Sequence, residues 1–278
     1  LTEQTTAQEL ALADKYGLDL FIAIDPMDVS VGRSALADLP DELRGAGFED
    51  EAIRDAFMAY ARYIAQAYQP RYLALGVEVN SYQHEQPEDF ERFVVLYHEA
   101  YEAVKEISPE TLVFPTFQLE ELQGLLPTDN PYQQQWYLMN RFEPRLDLLA
   151  VSSYPSLAYD TPDDIPSSYF AQLAAYTSRP IAITGMGYAS QLRDGDDGQG
   201  GEPDQALFLQ RTMDVAQQLS MPLVVWFIGQ DLSFTGDAPL QVLEHIGLRR
   251  QDGSRKEAWR VWEAASRRAL QAALSEEE

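Results

Sequence analysis

Glu78 is the residue whose setting most suggests chemistry. It follows the apolar run Tyr72-Leu73-Ala74-Leu75 and sits in Gly76-Val77-Glu78-Val79-Asn80-Ser81-Tyr82. An apolar run closing in a carboxylate and an amide fits the carboxyl end of a parallel strand, where barrel enzymes keep their catalytic groups. A carboxyl at such a place can give or take a proton during bond cleavage. Its structural alternative is a Glu that caps the next helix or pairs with an Arg. Four further acids fall at or just past strand ends: Asp25, Glu120, Glu121 and Asp231. For each, the bland reading is a solvated loop acid or a helix cap.

Other chemistries lack their parts. The chain has no cysteine, which excludes thiolate metal sites, Cys nucleophiles and disulfides. Its three histidines are His84, His98 and His245, and only His84, after the anchor strand, is placed to reach a strand-end site. No metal and no cofactor are expected. Neither a Gly-x-Ser-x-Gly elbow nor a phosphate or dinucleotide loop is present. The formal net charge is -25, so nucleic acid and anionic membrane are poor partners. No apolar stretch is long enough to span a bilayer.

The elements that must position Glu78 alternate regularly. Apolar strands are predicted from about 18, 71, 111, 146, 179 and 222, with helices over 3–17, 49–68, 87–107, 132–142, 166–177, 202–219 and 255–273. Residues 191–201 read as a polar, Gly-rich loop, and 276–278 as a frayed acidic tail. Strand–helix alternation implies a parallel sheet with helical crossovers. An open doubly wound sheet is the alternative, but Ile24-Asp25-Pro26 carries no Gly-rich loop after the first strand. At 45% hydrophobic residues a sizeable core is available, and no composition shift marks a boundary. A single barrel domain over 1–278 is therefore expected.

Five segments in order resemble the large superfamily of retaining glycoside hydrolases with (β/α)8 barrels, including endo-β-1,4-galactanase-like members. Leu75 to Asn80 is similar to the fourth strand, Leu148 to Pro155 to the sixth and Pro180 to Ser190 to the seventh. Val224-Val225-Trp226-Phe227 is similar to the eighth, and Gly247-Leu248-Arg249 with Asp252-Gly253 and Trp262 to the closing segment. The resemblance implies an α/β TIM barrel whose first two strands lie outside the chain, hence an N-terminally incomplete sequence. It implies a β-linked poly- or oligosaccharide as substrate or ligand, and from that class an extracytoplasmic or secreted address.

It also implies roles. Glu78 would be the general acid/base, set among apolar neighbours. Position 185, where a nucleophilic Glu is expected, holds Gly185. Val77 stands where an Asn that binds the sugar 2-hydroxyl is usual, and Asn80 is the candidate replacement. Retaining hydrolysis needs two carboxyls, so it should be weak or absent with Gly185. A glycan-binding protein without catalysis is the alternative, and another of the strand-end acids serving in its place is a third possibility. Asp25, Asn80, Tyr82, Gln118, Tyr154, Tyr188, Trp226 and Gln230 are the expected sugar contacts, with Phe117 and Ser153 as further strand-end candidates. Trp226 would be the floor of the sugar site.

Overall fold

The computed structural model describes residues 3–126, 133–191, 201–233 and 243–268. They fall into two compact units, Leu1–Ser152 and Ser153–Glu278.

The first unit opens with helix α1 (Glu3–Tyr16), stopped by Gly17 in a left-handed conformation. Strand β1 (Phe21–Ile24) follows. Helix α2 (Glu51–Tyr68) starts where the Asp50 side chain accepts a hydrogen bond from the Ala52 amide. Its buried Ile53, Phe57, Ala61, Ile64, Ala65 and Tyr68 recur at helical spacing. Strand β2 (Tyr72–Leu75) is buried at every residue, as its unbroken apolar run requires. Helix α3 (Val79–Glu85) was not expected from sequence. Helix α4 (Pro87–Ile107) begins with Pro87 and two acids in its first turn, which suits the positive helix N-terminus.

The expected strand from 111 is divided into β3 (Leu112–Phe114) and β4 (Thr116–Gln118), with Pro115 at the break because it offers no amide to a ladder. Helix α5 (Leu119–Leu122) is a single turn, and β5 (Leu149–Ser153) closes the unit. Strands β1, β2 and β3 form a parallel sheet in that order, and β4 pairs in parallel with β5. Behind them lies an aromatic core. Phe48, Phe57, Phe93 and Phe142 pack with ring centroids 5.1–6.5 Å apart, and Tyr97 meets Phe142 edge to face at 4.9 Å.

The second unit contains β6 (Ile181–Met186), α6 (Glu202–Gln218), β7 (Val224–Trp226) and α7 (Glu257–Ser266). Strands β6 and β7 are parallel, and α6 packs against α7. Two expected helices are shorter and tighter than a periodic reading suggests: Trp136–Arg141 in the first unit and Ala171–Ala175 in the second are 3-10 turns. Neither stretch has enough apolar periodicity for a long helix. The expected loop 192–200, residue 132, residues 269–273 of the last helix and the tail lie outside the described residues.

The turn that follows β2 places the candidate site. Gly76 has φ +103, and a Cβ there would lie 2.7 Å from the Phe93 ring and 2.8 Å from Val79. Gly76→Ala should therefore destabilise the protein by about 2–4 kcal/mol, through strained φ and overpacking, read as a lower urea midpoint.

Candidate active site

Glu78 caps α3 with φ 50 and ψ 47, a left-handed conformation uncommon for a residue with a side chain. Holding it there costs about 1–2 kcal/mol, which neighbouring bonds must offset. The Glu78 amide donates to Thr116 Oγ1 at 2.9 Å, and the Thr116 amide donates to the Gly76 carbonyl at 3.0 Å. The Gly76 amide donates to Ile24 O at 2.9 Å. So the ends of β1, β2 and β4 together fix the backbone on which the carboxyl stands.

The neighbours of that carboxyl are polar, contrary to the expected apolar setting. Arg33 Nε donates to Glu78 Oε2 at 2.9 Å, and Ser152 Oγ donates to Oε1 at 2.5 Å. Arg33 Nη1 reaches both oxygens of Asp25, at 2.8 and 2.7 Å. The Arg33 side chain is buried, whereas Glu78 and Asp25 remain 17% and 31% exposed. A guanidinium buried beside two carboxylates is a compensated charge; removing either acid leaves it underpaired. Burial acts to lower the Arg33 pKa and the two carboxylates to raise it, and the result is upward. Burial pushes the Asp25 carboxyl up despite the same ion pair.

A second carboxyl enters from the turn after β4. Gln118 caps α5, its Oε1 accepting from the Glu121 amide at 2.6 Å, while its Nε2 donates to Glu120 Oε2 at 2.5 Å. Glu121 Oε2 accepts from Ser81 Oγ at 2.8 Å and from Asn80 Nδ2 at 3.2 Å. Burial raises the Glu121 pKa to about 7; the Ser81 hydrogen bond opposes this, and the charges of Glu78 and Glu120 add to it. Glu120 is fully buried. Neither acid is the solvated loop residue that sequence favoured.

Several expected sugar contacts are buried and hydrogen-bonded within the protein. Asn80 is fully buried; it accepts from the Gln118 amide at 2.8 Å and donates to Gln118 O at 3.1 Å, tying α3 to β4. Tyr82 is buried, and its hydroxyl donates to Asp89, which also accepts from the Phe48 amide. Gln118 is spent on capping, and Phe117 is buried against Phe142. These side chains reinforce the site from behind.

In the second unit Tyr188 is buried and stacked on Phe208, and its hydroxyl donates to Asp160 O. Trp226 is 6% exposed, and its indole N–H donates to Ile246 O at 2.7 Å. The residue expected as the sugar floor is thus largely buried, and the next residue, Phe227, is 53% exposed. Tyr154 is partly buried and meets Phe227 edge to face at 6.4 Å. Ser153 Oγ is within 3.0 Å of Tyr169 OH. Gln230 is exposed and donates to Gln251 O. Gly185 lies buried within β6. Asp231 accepts from buried Lys256 at 2.6 Å and from the Gly247 amide at 2.9 Å, a structural ion pair. His84, which follows the anchor strand, lies in α3. Among the described residues no group of His, Asp and Glu has the arrangement of a metal site, and no helix is long and apolar enough to cross a membrane.

Sequence reasoning missed Arg33. Its only signal was a lone cation placed after Asp25-Pro26 in a chain with 45 acids and 20 Lys and Arg. It also underrated Glu121, for which the adjacent capping Gln118 and the apolar Leu119 and Leu122 were the available hints.

Comparison with known proteins bears on the fold. A GH5_18 protein from Streptomyces cattleya, solved in complex with GlcNAc, superposes with a TM-score of 0.71 at 20% identity, covering 96% of this chain and 66% of that one. A variant of the GH5_18 protein from Bifidobacterium longum subsp. longum, in complex with Manβ1-4GlcNAc, gives 0.65 at 18% identity, covering 98% and 67%. A β-glucuronidase from Ruminococcus gnavus gives 0.59 at 13%, covering 93% and 42%. This chain therefore spans about two thirds of the GH5_18 chains and less than half of the β-glucuronidase chain. No protein-family model matches the sequence. No curated protein matches it either. The fold is the α/β TIM-barrel type of glycoside hydrolases, as the strand–helix alternation and the ordered motifs implied.

The raised Glu121 carboxyl makes stability depend on pH. Between about 4.5 and about 7 the folded state holds this proton while the unfolded state releases it, so stability falls as pH rises through that window. Glu121→Gln should remove that component, worth up to about 3 kcal/mol. Urea unfolding at pH 5 and pH 8 checks this: the variant should lose less stability between the two than the parent.

Proposed function

We propose that this chain acts on or binds a β-linked poly- or oligosaccharide, with Glu78 as its working carboxyl and with the retaining nucleophile absent at Gly185. The observation that carries this reading is the placement of Glu78. A left-handed cap at the end of a buried parallel strand, held from three strands, keeps a carboxyl partly exposed where barrel enzymes do chemistry. Structures are seldom strained this way without a use for the displaced side chain. The glycoside hydrolase fold supports the choice of glycan over other neutral ligands, and the net charge of -25 disfavours polyanions.

Glycine offers no atom that can capture an anomeric carbon, so the double-displacement route of retaining enzymes is closed to the chain as it stands. The second reading is a glycan-binding protein without turnover. It is favoured by Arg33 and Ser152, which already engage both oxygens of Glu78. An extracytoplasmic address goes with a polymeric substrate under either reading.

Gly185→Glu should gain hydrolysis of β-glycans, and azide or formate added to the parent should accelerate turnover of activated aryl β-glycosides. Reducing-sugar and chromophore release measure both. Oligosaccharide binding by calorimetry with no turnover in either protein selects the binding reading. Absence of both binding and turnover removes the glycan assignment.

A further inference from the structure

The chain carries a large surplus of negative charge. Asp and Glu number 45 against 20 Lys and Arg, a formal net charge of -25. Three of those 20 bases are lysines: Lys15, Lys105 and Lys256. Lys256 is buried on Asp231, and Lys105 is mostly buried on Asp147 and the Thr111 carbonyl. Of the three, Lys15 alone is exposed. Surface arginines are taken up one acid at a time, as in Arg54 with Glu99, Arg71 with Asp19 and Arg145 with Glu102. Little positive charge is left to set against the surplus. The placement of the acids adds to the imbalance. Asp14 and Glu106 are exposed in the last turns of α1 and α4, at the helix ends whose partial charge repels them. Glu106 also lies four positions after exposed Glu102, an unfavourable pair on one helix face.

We propose that the folded state depends on a concentrated atmosphere of cations, and that the protein is built to work at ionic strengths well above about 0.15 M. The partner is a diffuse cloud of small monovalent cations, not an ion held at a fixed site. A neutral sugar adds nothing to the balance of charge, so this dependence holds whatever the chain binds.

Salt acts on such a surface in two opposite ways. It weakens the exposed ion pairs, which lowers stability, but each of those contributes little in water. It also screens the repulsion among the surplus acids, which raises stability. That repulsion grows with the square of the net charge, and it weighs on the compact state more than on the extended chain. Arg33 and Lys256 keep their acidic partners in salt, because pairs formed by buried side chains are screened much less. At a net charge of -25 the repulsive part wins, and salt stabilises. The screening length shrinks from about 10 Å at 0.1 M salt to about 3 Å at 1 M, so most of the gain falls below 1 M.

The test is urea unfolding of the parent chain, followed by tryptophan fluorescence at one pH in about 0.05, 0.3 and 1 M sodium chloride. The midpoint should rise by about 1 M urea or more across the series. Sodium perchlorate should give the same rise up to about 0.3 M, because screening depends on the cation atmosphere and not on the anion. A second protein carries Asp14→Asn, Asp55→Asn, Glu106→Gln and Glu110→Gln, which removes four exposed acids without an ion pair among the described residues. Its midpoint should lie above the parent's in low salt, and the gap should close in high salt. A parent midpoint that stays flat or falls with sodium chloride overturns the proposal. So does a rise that perchlorate fails to reproduce, or a charge-reduced protein no more stable than the parent in low salt.

Discussion

The site rests on one buried cation. Arg33 lies buried between Asp25 and Glu78, and among the described residues those two carboxylates are its ion-pair partners. A buried guanidinium without partners costs several kcal/mol, so the loop that carries Arg33 and the ends of β1 and β2 have to meet in one arrangement. Arg33 has φ 61 and follows Gly32 at φ 63, so the loop turns through two left-handed residues to deliver it. Glu78 answers with its own left-handed backbone. Strain on both partners is tolerated because the ion pair and the strand-end hydrogen bonds over-determine them.

From that pair outward, polar groups are shared economically. Thr116 holds the backbone of Glu78, Ser152 holds its side chain, and Asn80 locks the helix after it to the end of β4. Gln118 caps α5 and binds Glu120 with the two ends of one amide. Each buried polar side chain in this list has a described partner, as a low-dielectric interior demands. The aromatic core behind it supplies rigidity: Phe48, Phe93 and Phe142 pack beneath α3 and α4 without presenting rings to a ligand.

The second unit shows the same preference for using aromatic and charged residues structurally. Trp226, Tyr188 and Lys256 are buried with hydrogen-bond partners. For Lys256, burial lowers the pKa, and the Asp231 ion pair opposes it without fully restoring it. The exposed aromatic surface falls to Phe227 with Tyr154 against it. A one-residue step along a strand reverses the face on which a side chain stands, so the exchange between Trp226 and Phe227 is a matter of strand phase.

The strands were legible because Tyr72–Leu75 is an unbroken apolar run and Leu149–Ser153 and Ile181–Met186 open on apolar runs, which a sheet covered on both faces accommodates. The long helices α2 and α4 announced themselves by apolar spacing and by their first-turn acids. Glu78 stood out because it closes such a run, where parallel-strand enzymes keep catalytic groups; the structure shows it also at the cap of α3 and paired with Arg33, the two structural uses that sequence offered beside that reading. Helix α3 did not, since Val79–Glu85 is short, polar and without a strong start signal. Nor could sequence separate Tyr82, Tyr188 and Trp226 as core from the same rings as ligand platforms, because burial depends on neighbours far away in the chain. The chain by itself thus determined the alternation of elements and the one carboxyl that closes β2. Packing decided that Arg33 meets it, that Asn80 is buried and that Glu121 on α5 is held by Ser81 of the helix Glu78 caps. Those facts arise from contacts over 38 to 45 positions, and no local pattern of residues encodes such distances.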